Sequence, residues 1–265
     1  MPQWRLLREK VMPPHEQVDE LKSQLSRAVS RMQARQAEAE GAVRSIFNTS
    51  PGRYQMQTSP DLSAEQSASA RKHKLEQPRN MHPLTYLLLV ALAKAGELET
   101  REFGKSVALY SSEGCEVQEW HLDFSDKLKH NPVKRVRGGS SRGDAQETHP
   151  SWEERLQQIE TIRDMQDRQK PQGVFWALED GCKIMLAGPE GEAVEVCLER
   201  GDVLLFDGDL VHAGAAYPAS DNVRMHVYLY ARGVNKPAGN TWNIPEFVPT
   251  RVVQWHSGQR RAASV

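Results

Sequence analysis

The sequence has little cysteine. It contains three cysteines in 265 residues, Cys115, Cys182 and Cys197. An odd number of cysteines without regular spacing is not typical of a disulfide framework or of a zinc site. A reducing compartment is the simpler interpretation, so we expect an intracellular protein, with no preference between cytoplasm and nucleus.

The sequence also has no long hydrophobic run. Residues 1–17 lack the apolar stretch and the small-residue cleavage site of a signal peptide. The most apolar segment, 84–93, is far shorter than the roughly 20 residues that a helix needs to cross a bilayer. We therefore expect a soluble protein that is neither secreted nor inserted in a membrane.

Neither sign of charge is in excess. The chain has 34 Lys and Arg residues against 35 Asp and Glu residues, which indicates neither a generally basic nucleic-acid binder nor an acidic solvating tail. The hydrophobic fraction of 38% is low for a single compact fold. We therefore expect a core domain that shares the chain with polar, poorly packed segments.

Residues 1–80 are interpreted as a polar helical extension followed by a linker. Within 16–47, apolar side chains recur at spacings of three and four, which is typical of one stripe of a helix; they are Leu21, Leu25, Ala28, Met32, Ala39, Ala42 and Ile46. Arg35 and the alanines weaken this stripe as a coiled-coil seam. We favour a helix packed on its own domain over a handle for weak self-association. Residues 48–80 are rich in Ser, Gln, Pro and Asn and are predicted to be the linker.

Residues 81–250 are predicted to form the core domain, with 251–265 as a C-terminal tail. Pro83 suits the first turn of a helix that Gly96 would end. Short β-type segments follow, separated by glycine-containing turns; they are 106–112, 115–124, 173–179, 182–187, 193–199, 202–206 and 223–231. An insertion at 126–171 interrupts them. Strands at this spacing without alternating helices indicate a mainly β fold, either an antiparallel sandwich or a barrel.

The tripeptide His121-Leu122-Asp123 is the first candidate for chemistry. In an extended segment, residues i and i+2 share a face, so His121 and Asp123 would point into a cavity together with Glu119. With nine histidines in the chain, one His-x-Asp match by chance is unsurprising. The motif therefore needs partners elsewhere in the sequence.

His212 and Arg224 are the expected partners. His212 follows a buried strand and a tight turn and precedes Gly214, which is how a barrel rim presents a ligand. Two imidazoles and one carboxylate suit non-haem Fe(II) and leave positions open for oxygen and a co-substrate. Arg224 begins the next strand, and its planar fork can meet a carboxylate through two hydrogen bonds. A core histidine and a surface salt bridge are the plainer interpretations of these two residues.

Period-two counting places Arg224, His226, Tyr228 and Tyr230 on one face of their strand. The opposite face carries Met225, Val227 and Leu229. Pocket candidates are Tyr110, Trp176, His226 and Tyr228. Of these, Tyr110 and Tyr228 are the candidates for hydrogen bonds to a co-substrate.

The stretch from about 103 to 234 resembles the Fe(II)/2-oxoglutarate-dependent dioxygenases, most closely their phytanoyl-CoA-hydroxylase-like branch. The matching pieces are Gln118-Glu-Trp-His121-Leu-Asp123-Phe, Gly201-Asp202-x-Leu-Leu-Phe…His212-x-Gly214, and Arg224. The resemblance implies a double-stranded β-helix, a jelly-roll relative of the cupins. It also implies iron ligation by His121, Asp123 and His212, and 2-oxoglutarate binding by Arg224. Oxygen would be the second co-substrate of an oxidative reaction.

The resemblance further implies hydroxylation, or a demethylation that follows from it, of an unidentified substrate. Halogenating relatives replace the carboxylate ligand with a small residue, whereas Asp123 is present here. A small molecule or a side chain is the favoured substrate. The long insertion after Asp123 is a departure from the family pattern. It makes the residues that contact the substrate unpredictable from the sequence.

Three alternatives remain at this stage. A nucleic-acid demethylase of the same superfamily could use the basic segment 127–143 on phosphates, but that branch carries a second arginine six residues after the first, where this chain has Tyr230. A cupin-like binding module would keep the barrel without the redox cycle. A zinc hydrolase could use the same three ligands but lacks a general-base candidate near them in sequence.

Overall fold

The computed structural model describes residues 3–38, 52–59, 81–123, 170–232, 242–244 and 247–258. The end of the predicted helix 16–47 and nearly all of the insertion 126–171, with its basic segment, lie outside these residues.

The described residues form two helices and twelve strands. In chain order they are β1 (Trp4–Leu6), α1 (His15–Glu38), β2 (Arg53–Ser59), α2 (Pro83–Lys94), β3 (Arg101–Ser111), β4 (His121–Leu122), β5 (Gln172–Ala177), β6 (Cys182–Ala187), β7 (Ala193–Leu198), β8 (Val203–Asp207), β9 (His212–Gly214), β10 (Asn222–Ala231), β11 (Trp242–Asn243) and β12 (Val252–His256).

These strands build two six-stranded sheets. The major sheet has the order β1-β8-β5-β10-β3-β2, and the minor sheet has the order β11-β4-β9-β6-β7-β12. From β3 to β10 the chain passes back and forth between them: β3, β5, β8 and β10 lie in the major sheet, and β4, β6, β7 and β9 in the minor sheet. Neighbours among these eight strands are antiparallel. This winding is the double-stranded β-helix of the jelly-roll and cupin folds, as predicted.

The space between the sheets is filled by apolar residues from both inner faces. Phe175, Leu204 and Phe206 of the major sheet pack with Ile184 and Val196 of the minor sheet. Every residue of β5 is buried, because its other face is covered as well. The interior between the two sheets is therefore largely apolar at this level.

The two helices cover the outer face of the major sheet. Leu21 and Leu25 of α1 and Leu88 of α2 pack in one cluster with Met225 and Val227 of β10. Over its first turns, α1 therefore packs on its own domain. Helix α2 begins with Pro83 and is followed by Gly96 at φ 80°, as the sequence predicted. Within the described ranges, neither helix is long and apolar enough to span a membrane.

Two strands form where the sequence predicted unstructured chain. Residues 53–59, inside the predicted linker 48–80, are β2, which pairs with β3 at one edge of the major sheet. Residues 252–256, inside the predicted tail 251–265, are β12, which runs parallel to β7. Both are edge strands that bury little apolar surface: Met56 of β2 and Trp255 of β12 are the partly buried apolar residues that pack against the core. Conversely, of the predicted strand 115–124, the described part 115–123 is regular strand only at His121 and Leu122.

Candidate metal centre

His121 and His212 come together because β4 pairs with β9. The two residues are direct partners in that register, and both side chains are buried. The Nδ1 of His121 lies 2.7 Å from the carbonyl oxygen of Glu119, and the Nδ1 of His212 lies 3.0 Å from that of Leu210. A proton on each Nδ1 is therefore donated to the backbone. The Nε2 atom of each ring is therefore the one that remains for a metal, which is the usual arrangement of metal-binding histidines.

Asp123 completes the group one residue beyond β4. Its Oδ1 lies 3.8 Å from the Nε2 of His121, and its Oδ2 lies 3.2 Å from the Nε2 of His212. The three ligand atoms are all within 4.8 Å of one another. Two imidazoles and one carboxylate at this spacing fit one metal ion, and a ligand set on one side of the ion suits non-haem Fe(II).

The electrostatics favour the protonation states that metal ligands need. Burial lowers the pKa of His121 to about 4, with the charge of His212 acting in the same direction. Burial alone would raise the pKa of Asp123, but the surrounding imidazoles, His212 foremost, hold it well below its usual range. At neutral pH, His121 is therefore uncharged and Asp123 is a carboxylate. Burial opposes protonation of His212 too, but Asp123 raises its pKa above the ordinary value, so an incoming cation would displace any proton there.

His226 and Tyr228 of β10 also contact Asp123. The Nε2 of His226 is 3.4 Å from Asp123 Oδ2, and Tyr228 hydrogen-bonds the same carboxylate. Burial lowers the pKa of His226 to about 4 and raises that of Tyr228. Of these two pocket candidates, Tyr228 thus contacts a candidate metal ligand, a role that sequence reasoning did not assign to it.

Arg224 is a buried cation on the inner face of the major sheet. Its Nη1 donates to Ser111 Oγ at 2.9 Å, and its guanidinium carbon lies 5.5 Å from the ring centre of Phe175 and 5.4 Å from that of Tyr217. Among the described residues, no carboxylate pairs with it, and its buried Nε has no hydrogen-bond partner. Burying an unpaired charge costs several kcal/mol, so the position fits a carboxylate supplied by a bound molecule.

Tyr110 and Trp176 are not brought to this site. Residues directly opposite in an antiparallel pair share a face, and Arg224 is opposite Leu109 of β3 and Ala177 of β5. The neighbouring residues Tyr110 and Trp176 therefore point to the helix side. There the Tyr110 hydroxyl donates to Asp221 at 3.0 Å, and the Trp176 Nε1 donates to the carbonyl of Val11 at 2.8 Å. The co-substrate contact predicted for Tyr110 does not fit this placement.

Two polar residues beside Arg224 were missed by sequence reasoning. Ser111 lies two residues beyond Leu109 on the same face of β3, so strand alternation could have indicated it. Arg53 lies on β2, inside the predicted linker, and no sequence pattern indicates that its side chain is buried.

The chain matches no protein-family model and no curated protein. Solved structures that resemble it include a prolyl-4-hydroxylase of Pseudomonas putida, at 13% identity with a TM-score of 0.40, covering 87% of this chain and 94% of that one. Another is HygX from Streptomyces hygroscopicus with nickel, 2-oxoglutarate and hygromycin B bound, at 11% identity and a TM-score of 0.44, covering 88% and 84%. A third is an oxidoreductase of the 2OG-Fe(II) oxygenase family from Burkholderia pseudomallei, at 11% identity and a TM-score of 0.41, covering 89% and 87%. Likenesses of this size assign no family by themselves, so the function must be argued from the residues of this chain.

Proposed function

We propose that this protein is an Fe(II)- and 2-oxoglutarate-dependent dioxygenase that hydroxylates, or oxidatively demethylates, a small molecule or a side chain. One observation carries the proposal: the ligand atoms of His121, Asp123 and His212 lie within 4.8 Å of one another, and the buried guanidinium of Arg224, which no carboxylate of the described residues pairs with, lies on the inner face of the opposite sheet. Neither the ligand group nor the buried arginine alone indicates an oxygenase. Together they can bind a metal ion and an anionic co-substrate in one site.

The spacing along β10 supports this co-substrate. Arg224 and His226 are two residues apart on one face, and His226 lies beside Asp123. Two residues of an antiparallel strand span about 6.8 Å, which is comparable to the length of an extended five-carbon dicarboxylate. A 2-oxoglutarate molecule could therefore reach the metal with its keto-acid end while Arg224 binds its distal carboxylate.

Each residue then has a distinct role. His121, Asp123 and His212 would hold Fe(II) from one side and leave positions for the co-substrate and oxygen. The bound iron, with 2-oxoglutarate and oxygen, supplies the oxidation of a C–H bond. Arg224 orients the co-substrate through its fork of N–H donors. Phe175 and Phe206 are buried in the interior and help to exclude water, which strengthens these charged contacts.

Finer features of the proposal rest on the sequence motifs. The phytanoyl-CoA-hydroxylase-like branch is proposed from the residues around His121 and His212. Hydroxylation rather than halogenation is proposed because the ligand at 123 is a carboxylate. The three cysteines are free thiols, two of them buried, which supports the proposal of a reducing, intracellular compartment.

Anaerobic addition of Fe(II) and then 2-oxoglutarate to the purified chain tests the proposal. A weak visible charge-transfer band should appear only when both are present, and oxygen should then release succinate slowly without substrate. No band and no succinate would favour the cupin-like binding module. Hydrolysis of ester substrates with Zn²⁺ but without 2-oxoglutarate would favour the zinc hydrolase.

The substrate class needs a separate experiment. Screening metabolite extracts for compounds that accelerate succinate release would identify a small-molecule substrate. A salt-dependent gel shift that is lost when residues 127–143 are deleted would instead point to nucleic acid.

A further inference from the structure

A second buried guanidinium lies beside Arg224. Arg53 of β2 is 3% exposed, and its Nη2 donates to the carbonyls of Glu116 at 2.6 Å, Ala215 at 2.6 Å and Gly214 at 3.2 Å. Its Nη1 donates to Ser111 Oγ at 3.1 Å. One side chain therefore joins the end of β3, the loop that leads to His121 and the segment that follows His212.

Gly214 is the residue that makes room for this contact. A Cβ at position 214 would lie 2.5 Å from Arg53 Nη1 and 2.9 Å from Gln118 Oε1. The Gly214 nitrogen also donates to Gln118 Oε1 at 3.3 Å. The glycine of the His212-x-Gly214 motif thus lets the guanidinium lie directly against β9.

Arg53 and Arg224 meet at one hydroxyl group. Both donate an Nη1 hydrogen bond to Ser111 Oγ, at 3.1 and 2.9 Å. Burial lowers the pKa of Arg53 to about 10, and the charge of Arg224 contributes to the same shift. In the described part of the chain, neither guanidinium forms an ion pair, so two like charges are buried side by side. Such a pair is costly unless an anion joins it.

This arrangement decides what the Ser111 hydroxyl can do. A hydroxyl oxygen accepts through two lone pairs and donates one proton. The two guanidiniums occupy both lone pairs, so the remaining capacity of Ser111 is donation. An anion held by Arg224 would lie beside this hydroxyl and could accept its proton in a charge-assisted hydrogen bond.

We propose that Arg53 is a positioning residue for the co-substrate: by occupying one lone pair of Ser111, it fixes that hydroxyl as a donor to the carboxylate that Arg224 binds. Arg53 also holds the segments next to His121 and His212 around that carboxylate. This inference rests on the proposed function, because it assumes a co-substrate with a distal carboxylate. It makes β2, a strand outside the eight-stranded β-helix, part of the binding site.

Binding of two 2-oxo acids to the full-length Fe(II) protein without oxygen tests this inference. The first is 2-oxoglutarate, and the second is pyruvate, which lacks a distal carboxylate. A hydrogen bond to a charged group contributes about 1.5–3 kcal/mol, so Ser111→Ala should weaken 2-oxoglutarate binding about 10- to 100-fold. Pyruvate and iron affinities should change less than threefold.

Arg53→Lys shows whether the arginine acts through the serine. This variant keeps the charge but not the planar fork, and it should weaken 2-oxoglutarate binding about tenfold. In that background Ser111→Ala should have a much smaller effect than in the wild type, because the hydroxyl is no longer fixed. Ser106→Ala is the matched control: Ser106 is buried on the same strand, but its hydroxyl contacts Thr58 and Thr85 on the helix side, so its 2-oxoglutarate affinity should equal that of the wild type.

The outcomes separate this inference from the proposed function. If the wild type binds 2-oxoglutarate and Ser111→Ala binds it equally well, the inference is wrong. It is also wrong if Ser111→Ala weakens pyruvate and 2-oxoglutarate alike, or if the effects of the two substitutions simply multiply. Ser111→Ala removes a single oxygen, so it gives an answer even if the Arg53 variant does not fold. A wild type that binds Fe(II) but neither 2-oxo acid would overturn the proposed function itself.

Discussion

His121 and His212 face each other across the pairing of β4 with β9, and the centres of their rings are 4.5 Å apart. These are the two shortest strands among the eight of the β-helix, with two and three residues. Strands this short are weakly held by their own hydrogen bonds. The ligand geometry therefore depends on the carbonyls of Glu119 and Leu210, on the Arg53 contacts and on the core beneath the rings.

Substituting the three ligands and Arg224 separates metal binding from co-substrate binding. His121→Ala, Asp123→Ala and His212→Ala each remove one of three protein ligands and should abolish Fe(II) binding or weaken it by at least about 100-fold. Arg224→Ala should leave Fe(II) affinity within about threefold of the wild type and raise the 2-oxoglutarate concentration needed for half-maximal succinate release. Anaerobic iron titration followed by succinate kinetics measures both. Equal iron affinity in all four variants would contradict the assignment.

Tyr228→Phe tests whether the phenol orients Asp123. Partners that hydrogen-bond a metal ligand typically change metal affinity 10- to 100-fold when they are removed. The hydrogen bond from Tyr228 to Asp123 predicts a loss of Fe(II) affinity of about tenfold, with little change in the stability of the metal-free protein. Tyr230→Phe, the same substitution two residues further along β10, is the control and should bind iron as the wild type does. The affinity for 2-oxoglutarate, measured at saturating iron, should be similar in Tyr228→Phe and Tyr230→Phe.

Gly173 allows Phe206 to lie beneath the metal site. A Cβ at position 173 would be 2.2 Å from the Phe206 ring, and that ring lies 4.9 Å, centre to centre, from the ring of His212. Overpacking of this kind costs about 1–3 kcal/mol, so Gly173→Ala should lower the free energy of unfolding by that amount and weaken iron binding. Urea denaturation of the metal-free protein and iron titration measure the two effects.

A smaller partner should relieve this strain. The double variant Gly173→Ala/Phe206→Leu should be more stable than Gly173→Ala alone, whereas independent effects would make it less stable. Gly258→Ala is the control, because a Cβ there would meet only the flexible carboxylate of Glu199.

How much of this site the sequence could predict depends on what each strand packs against. On β10 the alternation is clear: Met225, Val227 and Leu229 join the helix-side core, and Arg224 and His226 lie on the inner face. On β3 the adjacent residues Leu109 and Tyr110 are both apolar enough for either face. The register with β10, which no single strand reveals, decides between them.

Edge strands were beyond prediction for a different reason. The adjacent residues Val252 and Val253 of β12 point to opposite faces and are both exposed, at 59% and 41%, and only Trp255 of this strand packs partly against the core, so its sequence has no clearly buried face to impose a pattern. The fully buried residues of strand β2 are polar, namely Arg53, Thr58 and Ser59, and its Met56 packs only partly against the core. Its stability comes from pairing with β3 and from polar contacts made only after folding, which composition cannot reveal.

His82 gives the fold a pH dependence that is independent of the metal site. It precedes α2 in an extended conformation, and its Nδ1 accepts a hydrogen bond from the backbone N–H of Leu84 at 3.3 Å. Burial lowers the pKa of His82, and Glu20 of α1 opposes this shift only in part. The folded state therefore takes up a proton less readily than the unfolded chain, whose histidines titrate near 6.5.

The sign of the effect follows from this difference. The stabilisation by His82 is fully present above about pH 6.5 and is lost as the pH falls from there toward the lower pKa of the folded state. A protonated Nδ1 can no longer accept the hydrogen bond from Leu84. In His82→Asn the side-chain oxygen caps the helix without titrating. Between pH 7.5 and 5.0 the wild type should therefore lose about 1 kcal/mol more unfolding free energy than His82→Asn, the usual contribution of a cap. Urea denaturation of both proteins at the two pH values measures this difference, and parallel losses would show that His82 does not control it.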